Sequence, residues 1–300
     1  MSFPVYFPDT PPIPLPPGHR FPAEKYGMLR SAVASGGILD GNNLKPSPEA
    51  TDVELEHGHD RDYVMAVREG RLTREQQARI GLPWSEVLVA RSLATVGGTL
   101  AAARDALHHL IAGQLAGGTH HARRDGGAGF CVFNDCAVSI LALLADKSIR
   151  RAAVLDLDVH QGDGNAAILA GEPRAFVASV HGANNYPFEK PPSDLDIGLP
   201  DGTADAEYLA ACTWACDAVL AEKPDIVFYI AGVDPLASDR LGRLSITHTG
   251  LLRRDRLVLG ACRSMGIPVV VLIGGGYGEP IADTVEAYAN TWRAAREVFG

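Results

Sequence analysis

The chain has 300 residues, 46% hydrophobic and 21% charged, with a formal net charge of −9. That length and apolar content suffice for one large buried core or two smaller ones. An acidic balance excludes a generic phosphate-backbone binder, because the pairs Arg123-Arg124, Arg150-Arg151 and Arg253-Arg254 do not add up to a concentrated basic surface.

Five cysteines, an odd number without CxxC pairs, read as reduced core residues rather than a disulfide framework or zinc ribbon. The opening "MSFPVYFPDTPPIPLPPGHRFP" has no basic n-region and no unbroken apolar h-region, so no secretory signal is expected. No apolar run reaches the length of a membrane span. A cytoplasmic location with neither a membrane nor a nucleic-acid partner is the resulting expectation. Eight prolines in the first 22 residues argue against a regular helix or a central strand. Residues 1–21 are therefore expected as an extended Pro-rich arm over the domain, shaping a rim or a homo-oligomer contact.

From about residue 22 to 115 the pattern is mainly helical, with "RDYVMAVREG" and "ATVGGTLAAARDALHHLIAG" carrying apolar residues at three- and four-residue spacing. The intervening "RLTREQQARIGLPWSEV" reads as a loop with a short helical turn. From residue 152 the chain alternates between strand-like runs ("AAVLDLDV", "AFVASVH", "DIVFYIAGVD", "PVVVLIGGGY") and helical stretches. Near-continuous apolar strands between helices predict a mainly parallel central sheet flanked by helices, an α/β fold forming one domain over residues 22–300. The last helix is expected to start near Pro280.

Ligands of open α/β sheets bind beyond the carboxyl ends of the strands, and each strand end here carries chemistry. The first ends in Asp158 and His160, the second in Ser179 and His181, the third in Gly232 and Asp234, the fourth in Gly274, Gly275, Gly276 and Tyr277. In "AVLDLDVHQGDGN" Asp156, Asp158 and His160 alternate, so they share one face of an extended strand. Two buried carboxylates side by side need a cation or several hydrogen bonds to compensate. Asp158, His160 and Asp234 would give a metal two oxygens and one nitrogen, leaving an open position as in catalytic zinc. Zinc suits that donor set, with Fe(II) the alternative. Taken alone, Asp234 would serve equally as a turn residue before Pro235.

In "AGGTHHARRDGGAGFCVFND" two glycines precede His120 and His121, a pair suited to a general base and an electrostatic helper. His108-His109, by contrast, lies within a helical pattern and carries no such expectation. "IGGGYGEP" fails as a dinucleotide fingerprint because Glu279 stands where the third glycine would be. Its glycines would instead let Tyr277 swing a phenol toward a developing oxyanion.

Over nearly its whole length from about His19, the chain resembles the histone deacetylase family of the arginase/deacetylase fold. "GGTHHARRDGGAGFC", "DLDVHQGDGN", "AGVDPLASDRLGRLSIT" and "GGGYGEP" occur in the family's order. Gln161, where class I members have a second histidine, and "GHRFPAEKY" look more like the class IV branch and its bacterial relatives. The resemblance implies zinc ligation by Asp158, His160 and Asp234, a catalytic pair His120 and His121 oriented by Asp156 and Asp163, and Tyr277 at the transition state. It also implies a potassium site at Asp156 and Ser179 with carbonyls of Asp158 and His160. Gly129, Phe130 and Gly275 match an acyl-lysine tunnel, with Tyr186 or Phe188 as its other wall. No residue is matched to the acidic rim residue that holds the substrate backbone in class I enzymes, so histones are not the expected substrate.

The expected activity is metal-dependent removal of an acetyl or longer acyl group from the ε-amine of lysine in proteins. The nearest alternative is hydrolysis of acetylpolyamines or other acylated small amines at the same site. A two-metal ureohydrolase would need more bridging carboxylates. A noncatalytic acyl-lysine binder would need neither His121 nor Tyr277.

Overall fold

The computed structural model describes residues 3–300. The first part of the chain runs through β1 (Val5–Phe7), α1 (Lys25–Ser35), β2 (Leu44–Pro46), α2 (Asp52–Leu55), α3 (Arg61–Arg68), α4 (Arg74–Ile80), α5 (Glu86–His109), β3 (Ile111–Gln114) and α6 (Asp135–Ala145). The alternating part follows with β4 (Ala152–Asp156), α7 (Asp163–Leu169), β5 (Ala175–Gly182), β6 (Leu195–Leu199), α8 (Asp205–Ala221), β7 (Ile226–Ile230), α9 (His248–Met265), β8 (Val269–Leu272) and α10 (Ile281–Phe299).

One sheet of eight parallel strands, in the order β2-β1-β3-β8-β7-β4-β5-β6, organises the domain. Its central strands are apolar on both faces because helices cover both. Ala153 and Leu155 of β4 join the core under α1, α8, α9 and α10, whereas Ala152 and Val154 join the core under α5, α6 and α7. The same two-residue alternation runs through β7 and β8. A third cluster gathers Ile13 and Phe21 with apolar residues of α2, α3, α4 and the start of α5, and it includes Tyr277. That cluster backs the site.

Local caps hold the helices where the sheet needs them. Ser85 caps α5 at the Leu88 N–H, Asn134 caps α6 at Ala137, and Thr247 caps α9 at Gly250. All five cysteines are free and buried. By length and composition α5 passes for a membrane span, which the sequence pattern did not anticipate, but 67% of its apolar window is buried inside the protein.

The arm departs from expectation. Val5–Phe7 is a strand within the sheet, paired with β2 on one side and β3 on the other, rather than a segment lying over it. Three residues between Pro4 and Pro8 are enough, since both prolines fall outside the strand and its carbonyls still accept: Leu115 donates to Tyr6, and Ser47 to Phe7. The stretch read as mainly helical before residue 115 likewise ends in a strand, β3, and "RLTREQQARIGLPWSEV" contains a complete helix, α4.

Candidate metal centre and active site

The adjacent central strands β8, β7 and β4 bring the chemistry together at their carboxyl ends. β4 itself stops at Asp156, but alternation continues through the following loop. Leu157 and Val159 turn into one core, and Asp158 and His160 point the other way. Asp234 follows β7 and the Gly274–Gly276 run follows β8.

Asp158, His160 and Asp234 are buried, and one ligand atom from each lies within 4.8 Å of the others. Nδ1 of His160 sits 3.1 Å from Asp158 Oδ1 and 3.1 Å from Asp234 Oδ2. Ligands about 2.0–2.1 Å from one tetrahedral ion lie roughly 3.3 Å apart, so these spacings fit a shared cation. The remaining oxygens are held by backbone donors: Gly275 N–H reaches Asp158 Oδ2 at 2.6 Å, and Val159 N–H reaches Asp234 Oδ1 at 2.9 Å. Such outer bonds fix the direction of each carboxylate.

Positive charge is drawn into this group. Burial opposes charging His160, yet the Asp158 and Asp234 carboxylates raise it to about 10. Burial, with Asp158 alongside, raises Asp234 to about 7. A divalent cation answers the same demand, displacing the protons. The donor set therefore fits a metal.

Gly275 is forced by this arrangement. A Cβ there would lie 2.0 Å from Asp234 Oδ2 and 2.9 Å from Asp158 Oδ2. It therefore forms part of the carboxylate cradle.

The His120 and His121 rings lie 4.1 Å apart between centroids, tilted by 50°, each on its own carboxylate. Nδ1 of His120 meets Asp156 Oδ2 at 2.7 Å, and Nδ1 of His121 meets Asp163 Oδ1 at 2.7 Å. Burial works against a charged His120, but Asp156 and Asp158 outweigh it and raise it to about 9. Burial and the neighbouring His120 push His121 down to about 4. Asp163, although buried, is held below the usual carboxylate range by His121 and by Arg123, whose guanidinium donates to it at 2.8 and 3.1 Å.

A cleft of about 560 Å³ opens above this cluster, lined by His121, Gly129, Phe130, His160, Tyr186 and Tyr277 among others. Phe130 packs 5.8 Å from Tyr277, and Tyr186 meets His121 edge-on at 4.9 Å. Gly129 has φ +54, and a Cβ on it would strike His121 at 2.6 Å. Phe188 is 85% exposed, at the outer mouth. Ser179 stands beside Asp156 in the β4–β5 register, but its hydroxyl engages His181 Nδ1 at 2.9 Å. His108 and His109 are exposed at the end of α5, away from the cluster.

Three supporting residues had no sequence signal of their own. Asp239, inside the quoted "AGVDPLASDRLGRLSIT", accepts the Tyr277 N–H at 2.6 Å and those of Leu241 and Gly242. Asp135 accepts from Thr99, Gly118 and Thr119 and so pins the loop entering His120. Lys25 is buried, with Nζ 4.9 Å from the centre of the Tyr277 ring and 3.0 Å from the Gly276 carbonyl. A lysine opening a helical pattern gives no hint of burial.

A parallel α/β domain thus carries a buried Asp-His-Asp group that could hold a metal, beside two His-Asp pairs at its strand ends, an arrangement suited to hydrolytic chemistry. The histone deacetylase domain model matches residues 19–294, and the chain belongs to that family. It is 44% identical to an uncharacterized protein of Picosynechococcus over the full length of both chains. It is 29% identical to Histone deacetylase 2 of Arabidopsis thaliana, over 89% of this chain and 73% of that protein. The crystal structure of the HDA15 HD domain superposes with a TM-score of 0.80 at 22% identity, over 99% of this chain and 88% of that one, a likeness of fold.

Proposed function

We propose that the protein is a zinc-dependent deacylase of the ε-amine of lysine in proteins. Family membership supports lysine deacetylation in general. The observation that carries the finer assignment is the convergence of the Asp158/His160/Asp234 group, the two His-Asp pairs and Tyr277 on one cleft. Asp158, His160 and Asp234 would hold the zinc, which when bound supplies polarisation of the acyl carbonyl and a water with a pKa near about 7. His121, with Nδ1 fixed on Asp163, takes the water proton and returns it to the leaving amine at Nε2. His120, on Asp156, supports the charge that passes through the pair. Tyr277 donates its phenol to the oxyanion. Phe130 and Tyr186 form the walls around the lysine stem, with Phe188 outside them. The family resemblance would place a second, monovalent cation at Asp156 and Ser179, neighbours in the β4–β5 register, with carbonyls of Asp158 and His160, and Gln161 is the basis for a class IV-like affiliation.

The test is turnover of zinc-loaded protein on acetyl-lysine peptides, long-chain acyl-lysine peptides and acetylated polyamines, each with a chelator control. Chelator-sensitive cleavage of lysine peptides is expected. Cleavage of polyamines alone would overturn the assignment.

A further inference from the structure

The mouth of the cleft carries charge opposite to that of the whole chain. Against a net charge of −9, Arg20, Arg79, Arg240 and Arg243 line the mouth, and no aspartate or glutamate lines it with them. All four are exposed. They are not scattered surface charges, because three of them sit on segments bonded to the tunnel. The Arg79 carbonyl accepts from Gly129 N–H at 3.1 Å, and the next carbonyl, of Ile80, accepts from Phe130 at 2.8 Å. Nε of Arg240 donates to the Tyr277 carbonyl at 3.3 Å. Arg20 follows His19, whose ring is held on the Gly81 carbonyl at 3.0 Å and lies 6.1 Å from Phe130.

Their charge is available. Besides the bond to Tyr277, Arg240 pairs with exposed Glu279 at 3.6 Å, and Arg243 pairs with exposed Asp201 at 3.3 Å, surface pairs that solvent and salt weaken. Among the described residues, Arg20 and Arg79 have no carboxylate within the 4.0 Å of an ion pair. Inside, the cleft narrows to the buried His121, His160 and Tyr277, whereas the four guanidinium side chains stay at its exposed rim. The arginines are therefore placed for groups that flank the scissile lysine and stay outside the tunnel. Exposed Phe188 adds an apolar surface at the same mouth.

Resting on the deacylase assignment, we propose that this rim selects acyl-lysines set in acidic stretches of polypeptide, with Arg20 and Arg79 as specificity-determining residues. Guanidinium forks match carboxylates bidentately, and a ring of one sign steers a chain of the other sign into the mouth. The same ring disfavours cationic polyamines.

The experiment uses zinc-loaded protein and acetyl-lysine peptides of one length, flanked by Asp/Glu, by Ala or by Lys. Both kcat/KM and fluorescence-anisotropy Kd are read for each. Acidic flanks are expected to raise kcat/KM over Ala by about tenfold, chiefly through KM, with the advantage shrinking as salt rises from about 0.05 to about 0.5 M. In the Arg20→Gln/Arg79→Gln double variant the acidic-to-neutral ratio should fall to within about twofold. Equal kcat/KM across the flanks, or a ratio that survives in the double variant, overturns the proposal. Free Nε-acetyl-lysine cleaved as well as the acidic peptide overturns the polypeptide choice. If no peptide is cleaved, the deacylase assignment fails, and the anisotropy decides separately: tighter binding of the acidic peptide keeps the charge selection, and equal binding rejects it.

Discussion

Acid should weaken the fold through His59, a residue outside the metal group. It is 1% exposed, and both ring nitrogens are committed: Nδ1 lies 2.9 Å from the Arg123 carbonyl, and Nε2 accepts the Asn134 N–H at 2.8 Å. Only the neutral ring with its proton on Nδ1 satisfies both neighbours. A second proton on Nε2 would face the Asn134 N–H. Burial accordingly pushes His59 down to about 4, against about 6.5 in an unfolded chain. The unfolded state binds more protons between those values. The contribution is complete above pH 6.5 and is lost as pH falls toward 4. A shift of about 2.5 units at about 1.36 kcal/mol each gives about 3 kcal/mol in full, and about 2 kcal/mol by pH 5. That is a large share of a typical stability of about 5–15 kcal/mol.

Urea unfolding of the chelated wild type and His59→Gln at pH 7.5 and pH 5.0 measures this term. His121 and His181, pushed down to about 4, and His120, His160 and Asp234, pushed up, titrate alike in both proteins, so the difference between the two isolates His59. The variant should lose about 2 kcal/mol less than the wild type. Equal losses in the two proteins would refute the assignment of His59 as a neutral, doubly engaged ring.

Tyr277→Phe should lower kcat by about 10²–10³ while zinc content stays stoichiometric, and unchanged turnover would remove the phenol from the mechanism. Asp158→Asn should lose metal, because one ligand and the acceptor of the Gly275 N–H change together; a full zinc complement by elemental analysis would contradict the ligand set. Gly275→Ala should also lose metal and lower Tm, since its Cβ would lie 2.0 Å from Asp234 Oδ2. Wild-type zinc affinity in that variant would show the cradle to be softer than its geometry implies.

The site was more legible in the sequence than the fold around it. The costly groups Asp156, Asp158 and His160 stand out in an apolar run because burial penalises them, and the structure brings Asp158 and His160 to Asp234. β4, β5, β7 and β8 were legible for the same reason, being buried on both faces and hence nearly all apolar. β1 and β2 were not, because three residues beside prolines leave no period to detect. β6 lies at the edge with alternating exposure, and β3 follows α5 after a single residue, so its apolar run merges with the helical one. Lys25, Asp135 and Asp239 act through backbone and ring contacts that only the assembled chain creates.

The order of strands has a consequence for timing. The metal group and its proton-handling partners come from loops after β3, β4, β7 and β8, separated along the chain by helices but adjacent in the sheet. No continuous fragment holds the whole set, and a metal held there binds the folded chain far better than the unfolded one. On the proposed zinc assignment, loading would report completed folding: by mass action, zinc at a hundred times its Kd would add about 2.7 kcal/mol to the native state. On the same assignment, a chain interrupted before Asp234 lacks one of the three ligands and with it both the catalytic metal and that reinforcement.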